Sequence, residues 1–257
     1  MKRGINYYWR VLATGACFTV FGLGCLWLWA FLFPVLRMVS GKRRQERVRF
    51  AIHKSFGFFL GLMEFVGLMR MEVEGAEKLK TSGGELVLSN HLTLIDFVVL
   101  VSLIPHAGCV VKQEMWKNFF TGGIVRAAGY ISNADPEHVL EDCAKELEKD
   151  RPLLVFPQGT RGVWGHPSRF QRGAAYIALK SRRPIRPVLL DCFPPAFAKG
   201  AAWYHIPPRP FRFRVRVLEL MGVEPWTEPG KPQTVAARSL TQALESFFNQ
   251  ELSKWKH

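Results

Sequence analysis

Hydrophobic positions concentrate at the start of the chain. Residues 11–36 run for 26 positions without one Asp, Glu, Lys, Arg or His. As a helix at ~1.5 Å per residue they would reach ~39 Å, beyond the ~30 Å hydrocarbon core of a bilayer. Trp27 and Trp29 sit toward one end of the run and Pro34 near its close. It exceeds the ~7–15 apolar residues of a signal peptide, and no small-residue cleavage site follows. A basic stretch comes next: Arg37, Lys42, Arg43, Arg44, Arg47, Arg49 and Lys54. A second apolar run, 56–69, carries Glu64 as its one charge and suits an interfacial or re-entrant helix. Basic residues outnumber those ahead of the first run (Lys2, Arg3 and Arg10), so the positive-inside rule puts the C-terminal body in the cytoplasm. A single crossing and a hairpin with both ends cytoplasmic both satisfy this pattern. Residues 1–70 are therefore expected to anchor the protein at the cytoplasmic (inner) membrane, with the basic stretch against anionic lipid.

Beyond Glu72 the period changes. Short β-rich runs at 85–89 (ELVLS), 108–112 (GCVVK), 153–156 (LLVF), 185–190 (IRPVLL) and 211–220 predict strands. Helical patterns lie between and after them, at 95–104, 137–148, 171–180 and around Leu240, Leu244, Phe247 and Phe248. Asp135 followed by Pro136 marks the start of the second. Strands alternating with helices predict an α/β fold: a mixed, mainly parallel sheet flanked by helices over residues 71–257, preceded by the N-terminal membrane helices. In 211–217 (FRFRVRV) arginines alternate with hydrophobes, which reads as an edge strand with a solvated basic face. A nucleic-acid surface is not expected, because no helix-turn-helix, zinc-finger or RNP signature accompanies it.

Composition narrows the partners. Lys and Arg number 35 against 21 Asp and Glu, a net charge of +14, while 48% of residues are hydrophobic. Disorder is excluded by that hydrophobicity, and the charge points to anionic partners such as phospholipid headgroups or an acidic carrier. Five cysteines without a CxxC pair predict no disulfide framework and a reducing compartment. The seven histidines are dispersed without HxxxH or HExxH spacing, so no metal site is expected.

Two short constellations carry chemistry. Asn90-His91-Leu92-Thr93-Leu94-Ile95-Asp96 follows the 85–89 strand directly. Imidazole is the natural general base near neutral pH, and a carboxylate on its other nitrogen fixes the tautomer and stabilises the imidazolium. A spacing of five lets Asp96 fold back onto His91 if a turn lies between them, whereas on one continuous helix the two would point ~140° apart. Thr93 to Asp96 also fits a capping box, which would employ the carboxylate structurally. The second constellation is Phe156-Pro157-Gln158-Gly159-Thr160-Arg161, a buried strand entering a turn that presents a guanidinium suited to phosphate. Both follow strand ends, where α/β sheets place their ligands. GxSxG is absent, so no acyl-enzyme is expected.

In this order the two constellations resemble those of the 1-acylglycerol-3-phosphate acyltransferase family, membrane-bound lysophospholipid acyltransferases. Asn90, His91 and Asp96 match its N-H-x4-D motif, and Phe156, Pro157, Gly159, Thr160 and Arg161 match its F-P-E-G-T-R motif. Val110-Val111-Lys112-Gln113-Glu114, Gly129-Tyr130-Ile131 and Pro187-Val188 resemble its intervening and fourth motifs, so the likeness spans about 70–220. The resemblance implies a glycerolipid acyltransferase-like fold, and a fatty acyl transfer from acyl-CoA or an acyl carrier protein thioester to a lysophospholipid hydroxyl. His91 and Asp96 would be catalytic; Lys112, Gln158, Gly159, Thr160 and Arg161 would bind substrate; the thioester is a co-substrate and no cofactor is needed. Two departures bear on the acceptor. Gln158 replaces the motif's Glu by an amide that also donates, and 129–133 lacks the Arg usual after the Gly-x-Ile strand. The acceptor therefore stays open between 1-acylglycerol-3-phosphate and a specialised glycolipid or aminolipid. A non-catalytic, membrane-tethered basic binding module is the more distant alternative.

Overall fold

The computed structural model describes residues 5–32, 34–35, 41–80, 83–118, 121–227, 230 and 232–255. Lys2, Arg3 and Arg37, counted in the charge asymmetry, lie outside them. Helix α1 (Ile5–Trp27) continues into a π-helical turn (Leu28–Leu32), and α2 spans Gly41–Phe65. The body follows as β1 (Met69–Glu74), α3 (Ala76–Lys80), β2 (Leu86–Ser89), α4 (Asp96–Leu103), β3 (Gly108–Val111), α5 (Gln113–Lys117), α6 (Gly122–Ala127) and β4 (Ile131–Ser132). After these come α7 (Pro136–Glu148), β5 (Leu153–Val155), α8 (Gly173–Ser181), β6 (Ile185–Phe193), β7 (Phe211–Val217) and α9 (Gln233–Ser253). The strands form one sheet in the order β1-β7-β6-β2-β5-β3-β4. Every neighbour pair is parallel except β6 with β7.

Helices cover both sheet faces, which is why the central strands read as unbroken apolar runs. Period two sends alternate residues to opposite sides. Val87, Val188 and Leu190 join the cluster built by Ile52, Phe59 and Leu60 of α2 and Val99 and Leu100 of α4. Leu86, Leu88 and Leu189 join Cys143, Leu147, Ile177, Leu240 and Phe248 from α7, α8 and α9.

Strand β7 is not an edge. It lies between β1 and β6, and its basic face is largely neutralised across the sheet. Arg214 meets Asp191 at 2.8 Å, Arg216 meets Glu74 at 2.6 Å and Arg212 meets Glu72 at 3.2 Å. Single-chain periodicity identifies a basic face but not the acids on neighbouring strands that oppose it. The edge on that side, β1, alternates Met69, Met71 and Val73 with Arg70, Glu72 and Glu74, a pattern charged enough to pass as loop.

The N-terminal helices share the body's core. The basic stretch from Lys42 on and the second apolar run as far as Phe65 form one continuous helix, α2. Arg49, expected to face lipid, is instead 1% exposed. It donates to the carbonyls of Ala128 (2.8 Å), His106 (3.2 Å) and Gly129 (3.2 Å) and pairs with Glu146 at 2.5 Å. A buried guanidinium needs such partners, and the body's loops supply them. Helix α1 lies along α2 and the long β6–β7 connection: Phe18 packs on Phe59 and Phe197 with centroids 5.9 and 5.5 Å apart, and Phe21 on Phe59 at 4.8 Å. Arg10 donates to the Gly67 carbonyl beyond the C-terminus of α2 at 3.1 Å. The opposite face of α1 leaves Ile5, Leu12, Leu23, Trp27 and Phe31 exposed. Among the described residues, Ile5–Phe31 is the one helix long and apolar enough to cross a membrane by length and composition.

Candidate active site

The central strands β2 and β5 run side by side, so their C-terminal ends deliver the two constellations to one edge of the sheet. At the end of β2 the ladder is extended by a side chain. Asn90 donates from Nδ2 to the Leu190 carbonyl and accepts from the Leu190 N–H through Oδ1, both at 2.8 Å. This amide pair holds the backbone to β6 while the chain turns away, and the next residue, His91, begins the turn.

His91 Nδ1 lies 2.8 Å from Asp96 Oδ2, with the ring 21% exposed and the carboxylate fully buried. The same Asp96 Oδ2 accepts the N–H groups of Leu92 (2.5 Å) and Thr93 (2.8 Å), and Oδ1 accepts the Thr93 hydroxyl. One carboxylate thus holds both the turn ahead of α4 and the imidazole, while the N-cap of α4, Ile95, carries no side-chain cap hydrogen bond. The N–H groups of Leu92 and Thr93 can only donate, so Oδ2 serves as acceptor and selects the Nδ1–H tautomer of His91. Nε2 has no partner among the described residues. The ring stacks on Phe156 at 4.4 Å, the first residue after β5.

The backbone of His91 is gripped from the other constellation. Its N–H donates to Gln158 Oε1 at 2.5 Å, and its carbonyl accepts the Gly162 N–H at 2.7 Å. Gly159 makes the intervening turn at φ +68°, where a side chain would be strained. Arg161 donates from Nη1 to the carbonyls of Phe197 (3.2 Å) and Ala198 (3.4 Å). The Phe197 carbonyl also accepts the Leu94 N–H at 3.1 Å, so the β6–β7 connection binds both loops together.

These loops open on a cavity of about 770 Å³. His91, Lys112, Gly159, Thr160 and Arg161 all line it, and so does Lys199 from the β6–β7 connection. Away from them the wall is mainly apolar, built in part from Phe18 and Cys25 of α1, Leu28 of the π-helical turn, Ile52 and Phe56 of α2, and Ile124 and Val125 of α6. Gln158 is not among the lining residues; it is 7% exposed and turned into the protein. Lys199 was not singled out in the sequence because a lone lysine after an Ala-Phe-Ala run carries no pattern. It reaches the site through an irregular loop that periodicity cannot place.

Comparison with known proteins follows this geometry. Residues 70–191 match the family model described as Acyltransferase. A 1-acyl-sn-glycerol-3-phosphate acyltransferase of Helicobacter pylori (strain J99 / ATCC 700824) is 33% identical over 116 residues, 42% of this chain and 49% of that one. The alpha form from Mus musculus is 27% identical over 190 residues, 71% of this chain and 65% of its own length. The chain thus spans about half to two thirds of the length of these curated relatives. The crystal structure of PlsC, the 1-acyl-sn-glycerophosphate (LPA) acyltransferase from Thermotoga maritima, superposes with a TM-score of 0.65 over 96% of this chain and all of that one. At 17% identity that likeness is one of fold.

Proposed function

We propose that the protein, whose residues 70–191 match the Acyltransferase family model, is a membrane-bound O-acyltransferase acting on a lysophospholipid such as 1-acylglycerol-3-phosphate. The donor is a fatty acyl thioester, acyl-CoA or acyl carrier protein. His91 Nε2 takes the proton of the acceptor hydroxyl as its oxygen attacks the thioester carbonyl. The tetrahedral adduct then expels the thiolate, which recovers that proton from the imidazolium, leaving a new ester and a free thiol. Asp96 stabilises the charged ring throughout. The observation that carries this reading is the His91–Asp96 pair at 2.8 Å on the wall of a cavity with a cationic region and an apolar remainder. The cations Arg161, Lys112 and Lys199 suit a phosphate monoester, and the apolar wall suits an acyl chain. Because Gln158 faces inward, its exchange for Glu leaves the cavity chemistry untouched, which favours the phosphate acceptor over a glycolipid or aminolipid.

The exposed apolar face of α1 and the exposed Phe58 and Phe65 of α2, with Arg43 and Arg47 exposed toward the N-terminal end of α2, fit an amphipathic surface seated in an anionic leaflet on the cytoplasmic side. One-sided burial of α1 favours an interfacial seat over a free crossing helix. The test uses purified full chain with acyl-CoA and 1-acylglycerol-3-phosphate, reading product by mass. His91→Ala should lower kcat by ~10²–10⁴-fold. Transfer at the parent rate in that variant would overturn His91 as the base, whereas no transfer by the parent chain itself would leave the non-catalytic binding module.

A further inference from the structure

The grip on His91 continues far beyond the two motifs. An N–H can only donate, so the Gln158 amide must turn its oxygen to His91 and its nitrogen inward. There Gln158 Nε2 donates to Ser168 Oγ at 3.2 Å, within buried surroundings. Ser168 is in turn held by the last helix: its N–H donates to Asn249 Oδ1 at 2.8 Å and its carbonyl accepts Asn249 Nδ2 at 3.1 Å. One turn earlier on α9, Glu245 Oε2 accepts the Phe170 N–H at 2.8 Å. A Cβ at Gly162 would lie 2.7 Å from Gln158 Nε2, so that position leaves room for the amide to pass.

We propose that Asn249, Ser168 and Gln158 form a positioning relay through which α9 sets the backbone, and hence the ring, of His91. None of the three lines the cavity, so the relay acts through His91 and not on substrate. It gives Gln158 a purpose that a binding role does not: the amide accepts at one end and donates at the other. Anchoring to α9 matters because 156–171 is otherwise loop between β5 and α8, and small displacements of a general base are costly; a shift of ~1 Å can lose ~10²-fold in rate. The proposal rests on His91 being the base.

Ser168→Ala removes the hydroxyl while keeping the backbone groups that Asn249 binds. Measured on the full chain with acyl-CoA and 1-acylglycerol-3-phosphate, it should lower kcat about tenfold with both KM values within about twofold. Ser168→Thr, which keeps a hydroxyl, should recover most of that loss at unchanged Tm. Asn249→Ala should reproduce the kcat defect from 81 residues away in sequence. Parent-like kcat in Ser168→Ala and Asn249→Ala, beside an inactive His91→Ala, would overturn the relay and leave the reaction assignment standing. A loss that follows Tm and is not recovered by threonine would also overturn it. If His91→Ala itself is as active as the parent, the assignment of His91 as the base fails first and takes the relay with it.

Discussion

At the scale of single residues the site separates groups that line the cavity from groups that hold them. Arg161 spends one nitrogen on two carbonyls, which aims its guanidinium without neutralising it. Lys199 follows directly on the second of those carbonyls and lines the same cavity. It makes no ion pair or hydrogen bond among the described residues. The sequence lacks the second-motif arginine, and Lys199 supplies positive charge to the mouth from a different loop. If it meets the acceptor's phosphate, Lys199→Ala should raise the acceptor KM about tenfold, in line with the ~1.5–3 kcal/mol of a charged hydrogen bond. The donor KM should stay unchanged, and transfer to an uncharged monoacylglycerol should be unaffected. A rise in donor KM instead would assign Lys199 to the phosphates of the thioester carrier.

At the scale of elements, the parts legible in the sequence were those whose signal is local. The strands β2, β3, β5, β6 and β7 and the helices α4, α7, α8 and α9 follow from runs and periods. So does the start of α7, where Asp135 accepts the His138 N–H at 3.4 Å and its main-chain carbonyl accepts that of Val139 at 2.9 Å. His91 and Asp96 were legible because five residues and a turn suffice to join them. What escaped depends on distant partners: the acids facing β7, the inward turn of Gln158, and the docking of α2. Arg49 illustrates the last. Read along the chain it is one more cation in a basic run; in the fold its guanidinium meets Glu146, 97 residues away. Burial alone would raise the Glu146 carboxyl, but the charges of Arg49 and Lys149 outweigh it and hold the group below the usual carboxylate range. A depressed folded-state pKa means the unfolded chain binds the proton first. The stability from this group is therefore present above the unfolded pKa and lost as pH falls through the folded one. Acid unfolding below about pH 4.5 should be shallower in Glu146→Gln than in the parent, compared by circular dichroism. Arg49→Met should cost about 3–5 kcal/mol at neutral pH, since Glu146 is then buried without its partner.

At the scale of the whole molecule, the cavity exists because two separately coded parts meet. The α/β body contributes the polar end and part of the apolar wall, and α1 and α2 close the remainder. Phe18 packs on Phe197, whose carbonyl holds Arg161, so this part of α1 sits beside the cationic region. Cys25 and Leu28 lie seven and ten residues further on, about 10–15 Å along the helix axis. Beyond them Trp29 closes against Gly123 of α6, where an added Cβ would come within 2.7 Å of the indole. The helix that would seat the protein in a bilayer is therefore also part of the cavity wall, where an acyl chain entering from the polar end would meet it. Filling the remote part of that wall should discriminate by length and not by headgroup. Cys25→Phe should spare a short thioester of about 10 carbons while lowering kcat/KM for one of about 18. Excluding two or three methylenes at ~0.8 kcal/mol each predicts a loss of about 10–50-fold. A uniform fall across chain lengths in competing-substrate assays would mean that the acyl chain leaves the site by another route, and that α1 serves the membrane alone.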